Sequence, residues 1–432
     1  MQRMSRSGNH EQQKPTSLRS FRINPVGTER ELVQDILSAE GFEFEPEPFS
    51  PSAFRLLKEP FPLGRSLAAF FGLIYIQDRS SMLPALMLQP EPNEAVLDMC
   101  ASPGSKTGFL SHLVGTGGLV LANEPNPTRL GTLRANLSQQ NFIQTVTCKF
   151  QGQEIPLAPE SFGKILLDPP CSGWGTVDKN PHVTTLWSGN KTKTLIALQR
   201  MLLTKAAQIL ISGGELVYST CTTNPAENEE QVAWALENLP LEQLELCTPP
   251  GFGEAVSLRE NSLNITPGLG EGQGFFVTKF LRKSSSLLEL PETESKRPTY
   301  NPELISRTVL DTDLLNSSLL PPGELAEHCG NLMFLPERLI RSIPLDFPVQ
   351  GAFVGKMARG SVLPLPRMRT LIVPSGTGPS LDLEELAPIR QLLSGQSLAV
   401  NFPGKNWLAL YYKSLPLALL RIKNGRAIWT EH

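Results

Sequence analysis

None of the six cysteines stands in CxxC spacing, which argues against a zinc site. Six in 432 residues are also too few for a disulfide scaffold. Long apolar runs are missing too: the longest, near SLAAFFGLIYI (66–76), is too short to cross a bilayer. MQRMSRSGNHEQQK has no apolar stretch behind its charges, so no secretory signal is expected. The five histidines form neither a triad nor a ligand set; His112 falls within a helical pattern and His182 follows an Asn-Pro, so both read as structural or solvated. These absences lead us to expect a cytoplasmic monomer with no metal and no membrane partner.

The hydrophobic fraction of 40% and charged fraction of 19% are those of an ordinary globular chain, long enough for two or three domains. The net charge of −3 hides an uneven distribution. Residues 1–28 carry Arg3, Arg6, Lys14, Arg19 and Arg22 against Glu11, and residues 386–430 carry six Lys or Arg with no acid. Such surfaces would attract a phosphate backbone.

The pattern divides the chain. SLRSFRINP (17–25) is strand-like and 28–42 has helical spacing, giving a small α+β module over 1–82. Over 83–283, strand candidates at 95–100, 118–124, 145–150, 163–168 and 214–220 alternate with helical patterns at 105–114, 127–140, 194–211 and 225–238. That alternation predicts an α/β fold with a doubly wound parallel sheet, and 274–283 is placed at its edge. Residues 284–302 read as a Ser/Pro-rich linker, and 303–432, with short apolar runs broken by Pro and Gly, as a β-rich module.

The first strand of the sheet, AVLDMC, runs into ASPGSKTG (101–108) and then a helix. In an open α/β sheet such a loop lies at the ligand edge, and Gly104 with the helix N-terminus would let a ligand approach the backbone. Neither GxGxxG nor GxxxxGK[ST] is met, so no phosphate cradle is expected. Glu124, ending the second strand, is placed to accept from a ribose diol. A nucleoside-bearing cofactor with little phosphate fits, and S-adenosylmethionine is such a molecule.

Asp168 ends the fourth strand in LLDPPCSG. Methyltransferases acting on exocyclic amines follow a similar turn with a stacking aromatic, whereas this chain has Cys171. Methylating carbon 5 of a cytosine needs a thiolate that adds to carbon 6, a group on the ring's polar edge, and loss of the carbon 5 proton. Asp168 can serve the polar edge. Cys221 suits the thiolate, because Asn224-Pro225 would open a helix whose dipole favours an anion. Glu227, Glu229 and Glu230 would complement that dipole. Both cysteines end strands of one sheet, and position leaves Cys171 and Cys221 each eligible as the nucleophile.

Five segments taken in order carry a resemblance: YIQDRSSM (75–82), LDMCASPGSKTG (97–108), LANE (121–124), ILLDPPCSGWGT (165–176) and YSTCTTNPAENE (218–229). Over about residues 17–283 the chain resembles the Sun-type (Nop/Sun, Fmu) RNA cytosine-C5 methyltransferases. The resemblance implies a Rossmann-like fold binding S-adenosylmethionine at Cys100, Ala101, Ser102, Pro103, Gly104, Ser105 and Lys106, with Glu124 and Asp168. It also implies that Cys221 is the nucleophile and that Cys171 assists release of methylated RNA. Gln151 stands where the family usually has an Asp before Gly152, and Gln can still bond the adenine amine. Length and the β-rich tail resemble the bacterial branch that modifies small-subunit ribosomal RNA and carries a C-terminal PUA-like RNA-binding module. Alternatives are a tRNA substrate, or an inactive RNA-binding assembly factor.

Overall fold

The computed structural model describes residues 19–24, 30–177, 180–187, 191–267, 272–284, 302–343, 347–358 and 361–430. Arg3, Arg6, Lys14 and nearly all of the linker segment lie outside them.

The chain begins with β1 (Ser20–Ile23), α1 (Arg30–Ala39), β2 (Glu43–Pro46), β3 (Ala53–Lys58), α2 (Leu67–Phe70), β4 (Ile74–Ile76) and α3 (Arg79–Leu88). The four strands form an antiparallel sheet in the order β2-β3-β1-β4. Leu37, Val33 and Ile36 of α1 are buried at the three- and four-residue spacing of an amphipathic helix. Arg22 is not the surface cation its charge suggested. It is fully buried and donates to Gln77 Oε1, Asn24 Oδ1 and Gln140 Oε1 at 2.9, 3.0 and 3.1 Å. Burial lowers its pKa to about 9. Its guanidinium also reaches the carbonyl of Ser105 at 3.4 Å, tying this first sheet to the cofactor loop.

The central sheet follows: β5 (Ala95–Asp98), α4 (Ser105–Val114), β6 (Leu119–Asn123), α5 (Pro127–Gln140), β7 (Thr145–Cys148), β8 (Phe162–Leu167), α6 (Val183–Leu186), α7 (Thr192–Ile209), β9 (Leu210–Thr220) and α8 (Glu229–Asn238). β9, β8, β5, β6 and β7 are parallel neighbours in that order, and most of their side chains are buried because both faces are covered. The chain winds from β5 to β7 and then returns to place β8 on the other side of β5. The strand order therefore reverses between β5 and β8, where an α/β sheet opens its ligand crevice.

Two strands at the ends of this sheet escape local pattern. After β10 (Leu241–Gln243), a hairpin of β11 (Val256–Arg259) and β12 (Ser262–Ile265) lies outside β13 (Phe275–Arg282). β13 pairs antiparallel with β9, so the segment expected at the edge is an interior strand. The opposite edge, β7, is covered by β17 (Val349–Gln350), from the far side of the linker.

That C-terminal part contains β14 (Glu303–Ile305), β15 (Gly323–His328), β16 (Asn331–Pro336), α9 (Glu337–Ser342), β18 (Ala352–Ala358) and β19 (Ser361–Pro364). It continues with β20 (Ser380–Leu383), α10 (Leu386–Leu393), β21 (Leu398–Ala399), β22 (Trp407–Tyr412), β23 (Leu415–Lys423) and β24 (Arg426–Ile428). The strands other than β17 form two five-stranded sheets, β14-β15-β16-β18-β19 and β20-β22-β23-β24-β21. The second shares one buried apolar cluster with the N-terminal sheet, joining Phe21, Val33 and Phe71 to Ile389, Leu408 and Trp429. All six cations of 386–430 are exposed, although Arg390 pairs with Glu40 and Lys405 with Asp313. Among the described residues no helix is long and apolar enough to cross a membrane.

Candidate active site

A cavity of about 370 Å³ opens where the strand order reverses. Its walls come from the loops after β5, β6, β7, β8 and β9. The first loop folds tightly because Thr107 Oγ1 donates to Asp98 Oδ2 at 2.7 Å and the amide of Gly104 donates to the carbonyl of Ala101 at 2.8 Å. Gly104 has φ +105°, and an added Cβ would lie 3.0 Å from Leu133, so glycine fits both the turn and the contact. Burial pushes the Asp98 carboxyl up to about 7.

Of the residues singled out from sequence, Cys100, Ser102, Pro103, Ser105, Lys106, Glu124, Gln151, Asp168, Cys171 and Cys221 line the cavity. Ala101 and Gly104 do not; they shape the loop behind it. Glu124 is 1% exposed, accepts from the amide of Asn126 at 2.8 Å and pairs with Arg129 at 3.4 Å. Gln151 is exposed at the start of a short 3-10 turn, Gly152–Glu154, and its carboxamide has no partner among the described residues.

Asp168 sits between two donors, Lys106 Nζ at 2.7 Å and Ser219 Oγ at 2.8 Å. Burial acts to lower the Lys106 pKa, but the Asp168 carboxylate outweighs it and the ammonium is held above its ordinary value. Lys106 also stands 5.1 Å from the centroid of Phe275.

Cys171 and Cys221 face each other with their Sγ atoms 3.3 Å apart. The hydrogen bond between them, burial and the Asp168 charge all raise Cys171. The same bond and the Lys106 charge lower Cys221, against burial and Asp168. One thiol is thus a donor and the other favours the thiolate. The expected helix-dipole account of Cys221 needs correction: Asn224 caps a short 3-10 turn, Pro225–Glu227, and α8 starts only at Glu229. Glu227 does not complement a dipole at the surface. It is fully buried and bonded to the Cys171 loop.

This polarity has a measurable consequence. A thiolate accumulates as pH rises through its pKa, so a depressed pKa brings alkylation on at lower pH. Iodoacetamide modification of Cys221 should have a midpoint below the ordinary thiol value, and Cys171→Ala should move it upward. A midpoint unmoved by that substitution would rule out the Cys171 hydrogen bond as the cause.

Sequence reasoning missed Arg129, Phe275 and Gln273 in the cavity wall, and Asn123 and Ser219 behind it. Asn123 bonds the carbonyls of Met99 and Phe150, joining the loops after β5 and β7. Its position next to Glu124 was a signal that could have found it. Phe275 and Ser219 have no local signature.

The cavity tests well for an adenosyl cofactor. It has a buried acid for a diol, an unpartnered amide, apolar walls from Met99, Leu198 and Leu202, and cations already matched by carboxylates rather than left for phosphates. Fold and cavity together define the architecture of the S-adenosylmethionine-dependent methyltransferases, and the cofactor is S-adenosylmethionine.

A family model described as 16S rRNA methyltransferase RsmB/F matches residues 85–281. Ribosomal RNA small subunit methyltransferase F of Salmonella agona is 38% identical over 300 residues, which is 65% of this chain and 60% of that protein. The Cronobacter sakazakii protein of the same name is 36% identical over 302 residues, 68% of this chain and 62% of its own length. A solved methyltransferase homolog protein from Pyrococcus horikoshii is 35% identical, with a TM-score of 0.53 covering 62% of this chain and 87% of that one. The chain belongs to the RsmB/F (Sun-type) family. It spans about 60% of the length of the curated relatives it matches.

Proposed function

We propose that this protein methylates carbon 5 of a cytosine in small-subunit ribosomal RNA, with Cys221 as the covalent nucleophile. The observation that carries the reading is the pair of sulfurs 3.3 Å apart in the wall of the cofactor cavity beside Asp168. An amino-group methyltransferase has no use for such a pair. The curated relatives are ribosomal RNA small subunit methyltransferases, which favours ribosomal RNA over tRNA.

When bound, S-adenosylmethionine supplies an electrophilic methyl group. Cys100, Ser102, Pro103, Ser105 and Lys106 would flank it, Glu124 would accept from the ribose, and Gln151 would face the adenine. Asp168, fixed by Lys106 and Ser219, would take the polar edge of a cytosine presented single-stranded or flipped. The Cys221 thiolate adds to carbon 6, making carbon 5 nucleophilic towards the methyl group. After methyl transfer, water takes the carbon 5 proton, the electron pair of that C–H bond re-forms the ring double bond, and the Cys221 sulfur leaves as a thiolate. Cys171, a thiol within hydrogen-bond reach, stabilises that departing thiolate. The exposed cations of β22–β24 and the exposed Arg19 would contact the RNA backbone, the protein acting as a monomer in the cytoplasm.

Bisulfite mapping of RNA from cells lacking the protein tests this. A small-subunit ribosomal cytosine protected in the parent should become convertible. A change confined to tRNA would move the substrate, and no change at any cytosine would leave an RNA-binding assembly factor.

A further inference from the structure

Glu227 is 0% exposed, yet no cation pairs with it among the described residues. Four donors converge on it instead. Ser172 Oγ and Asn224 Nδ2 reach Oε1 at 2.5 and 2.9 Å; the Ser172 amide and Gln199 Nε2 reach Oε2 at 2.9 and 3.0 Å. A polar side chain buried this deeply would be costly without such partners, so the site is built to hold an acceptor on every side.

The partners have a common location. Ser172 directly follows Cys171, and Gln199 also donates to the carbonyl of Pro170, directly before it, at 3.0 Å. Ser172 Oγ lies 2.7 Å from the hydroxyl of Thr222, which directly follows Cys221. Asn228, one residue beyond Glu227, accepts from Thr220 Oγ1 at 2.6 Å and donates to the carbonyl of Thr222 at 3.0 Å, bracketing Cys221 in turn. The segment Asn224–Asn228 therefore grips the residues on both sides of Cys221, and on Cys171's side it holds Ser172 directly and Pro170 through Gln199, although strands β8 and β9 deliver the two loops separately.

We infer that Glu227 is a positioning residue that sets the separation of Cys171 and Cys221. The claim rests on the roles given those cysteines above. It touches neither the RNA nor the cofactor; it acts through the loops that hold the sulfurs. The sulfur–sulfur hydrogen bond depends on that spacing, and a displacement of about 1 Å in a reacting group can cost about a hundredfold in rate. Glu227→Gln keeps the shape but turns an NH₂ group towards donors that need an acceptor, so Ser172 and its neighbour Cys171 should be pushed away.

The test compares wild type, Glu227→Gln and Ser172→Ala. In Glu227→Gln we expect kcat to fall about ten- to a hundredfold, while the dissociation constant for S-adenosylmethionine stays within about twofold. The alkylation midpoint of Cys221 should rise towards that of Cys171→Ala. Ser172→Ala, which removes one hydroxyl and keeps the backbone contact, should shift both readouts in the same direction by less; it also carries the test if Glu227→Gln does not fold. A lower kcat with an unmoved midpoint would mean a merely structural role and overturn the inference, as would wild-type values in both. If wild type makes no 5-methylcytosine but Glu227→Gln still shifts the midpoint, the positioning role stands and the proposed reaction falls.

Discussion

Cys221→Ala is expected to lower methylation of the ribosomal substrate by about 10⁴-fold or more, with S-adenosylmethionine affinity nearly unchanged. The size follows from what is lost. Without a sulfur adding to carbon 6, carbon 5 of cytosine has no enamine character, and no neighbouring group can supply it. Cys171 and Cys100 are the other thiols of the cavity wall, and burial with the Asp168 charge holds both in the protonated form. Cofactor affinity should survive because the groups assigned to it, Asp168 after β8 apart, follow β5, β6 and β7, and Cys221 follows β9. Radiolabelled methyl transfer and calorimetry check the two halves separately. Full activity in this variant would refute the nucleophile assignment.

Cys171→Ala should fail later in the cycle, and visibly. Addition at carbon 6 and methyl transfer still occur, but the departing sulfur loses the donor that stood 3.3 Å away. Losing such proton assistance costs about 10²- to 10⁴-fold, so elimination becomes limiting and the protein accumulates as a covalent RNA adduct. A denaturing gel of enzyme mixed with RNA and cofactor should show most of the chain shifted. The double variant Cys171→Ala/Cys221→Ala should show none. If Cys221→Ala traps RNA and Cys171→Ala is simply inactive, the two roles are reversed.

Much of the central sheet was legible because its signals are local. A strand of buried aliphatics running into ASPGSKTG, or into DPPC, states its own topology, and ten of the twelve residues singled out for the site line one cavity. What local pattern could not supply were partners distant in sequence. Glu227 shows the difference: an acid beside Asn-Pro reads as a helix-terminus charge, and only the fold shows Ser172, 55 residues upstream, as its hydrogen-bond partner. Arg22 is similar, a basic residue in a basic stretch whose nearest ring contacts are Tyr75 and Phe109. The β11–β12 hairpin and β17 pair with strands that carry no mark of an added neighbour.

The apolar cluster joining the first sheet to the last one bears on how the molecule is made. Phe21 and Val33 are translated more than three hundred residues before their companions Ile389, Leu408 and Trp429. Until then the nascent chain carries a half-covered greasy face, a state prone to chaperone capture. Synthesis of the last sheet is therefore the event that closes the N-terminal core.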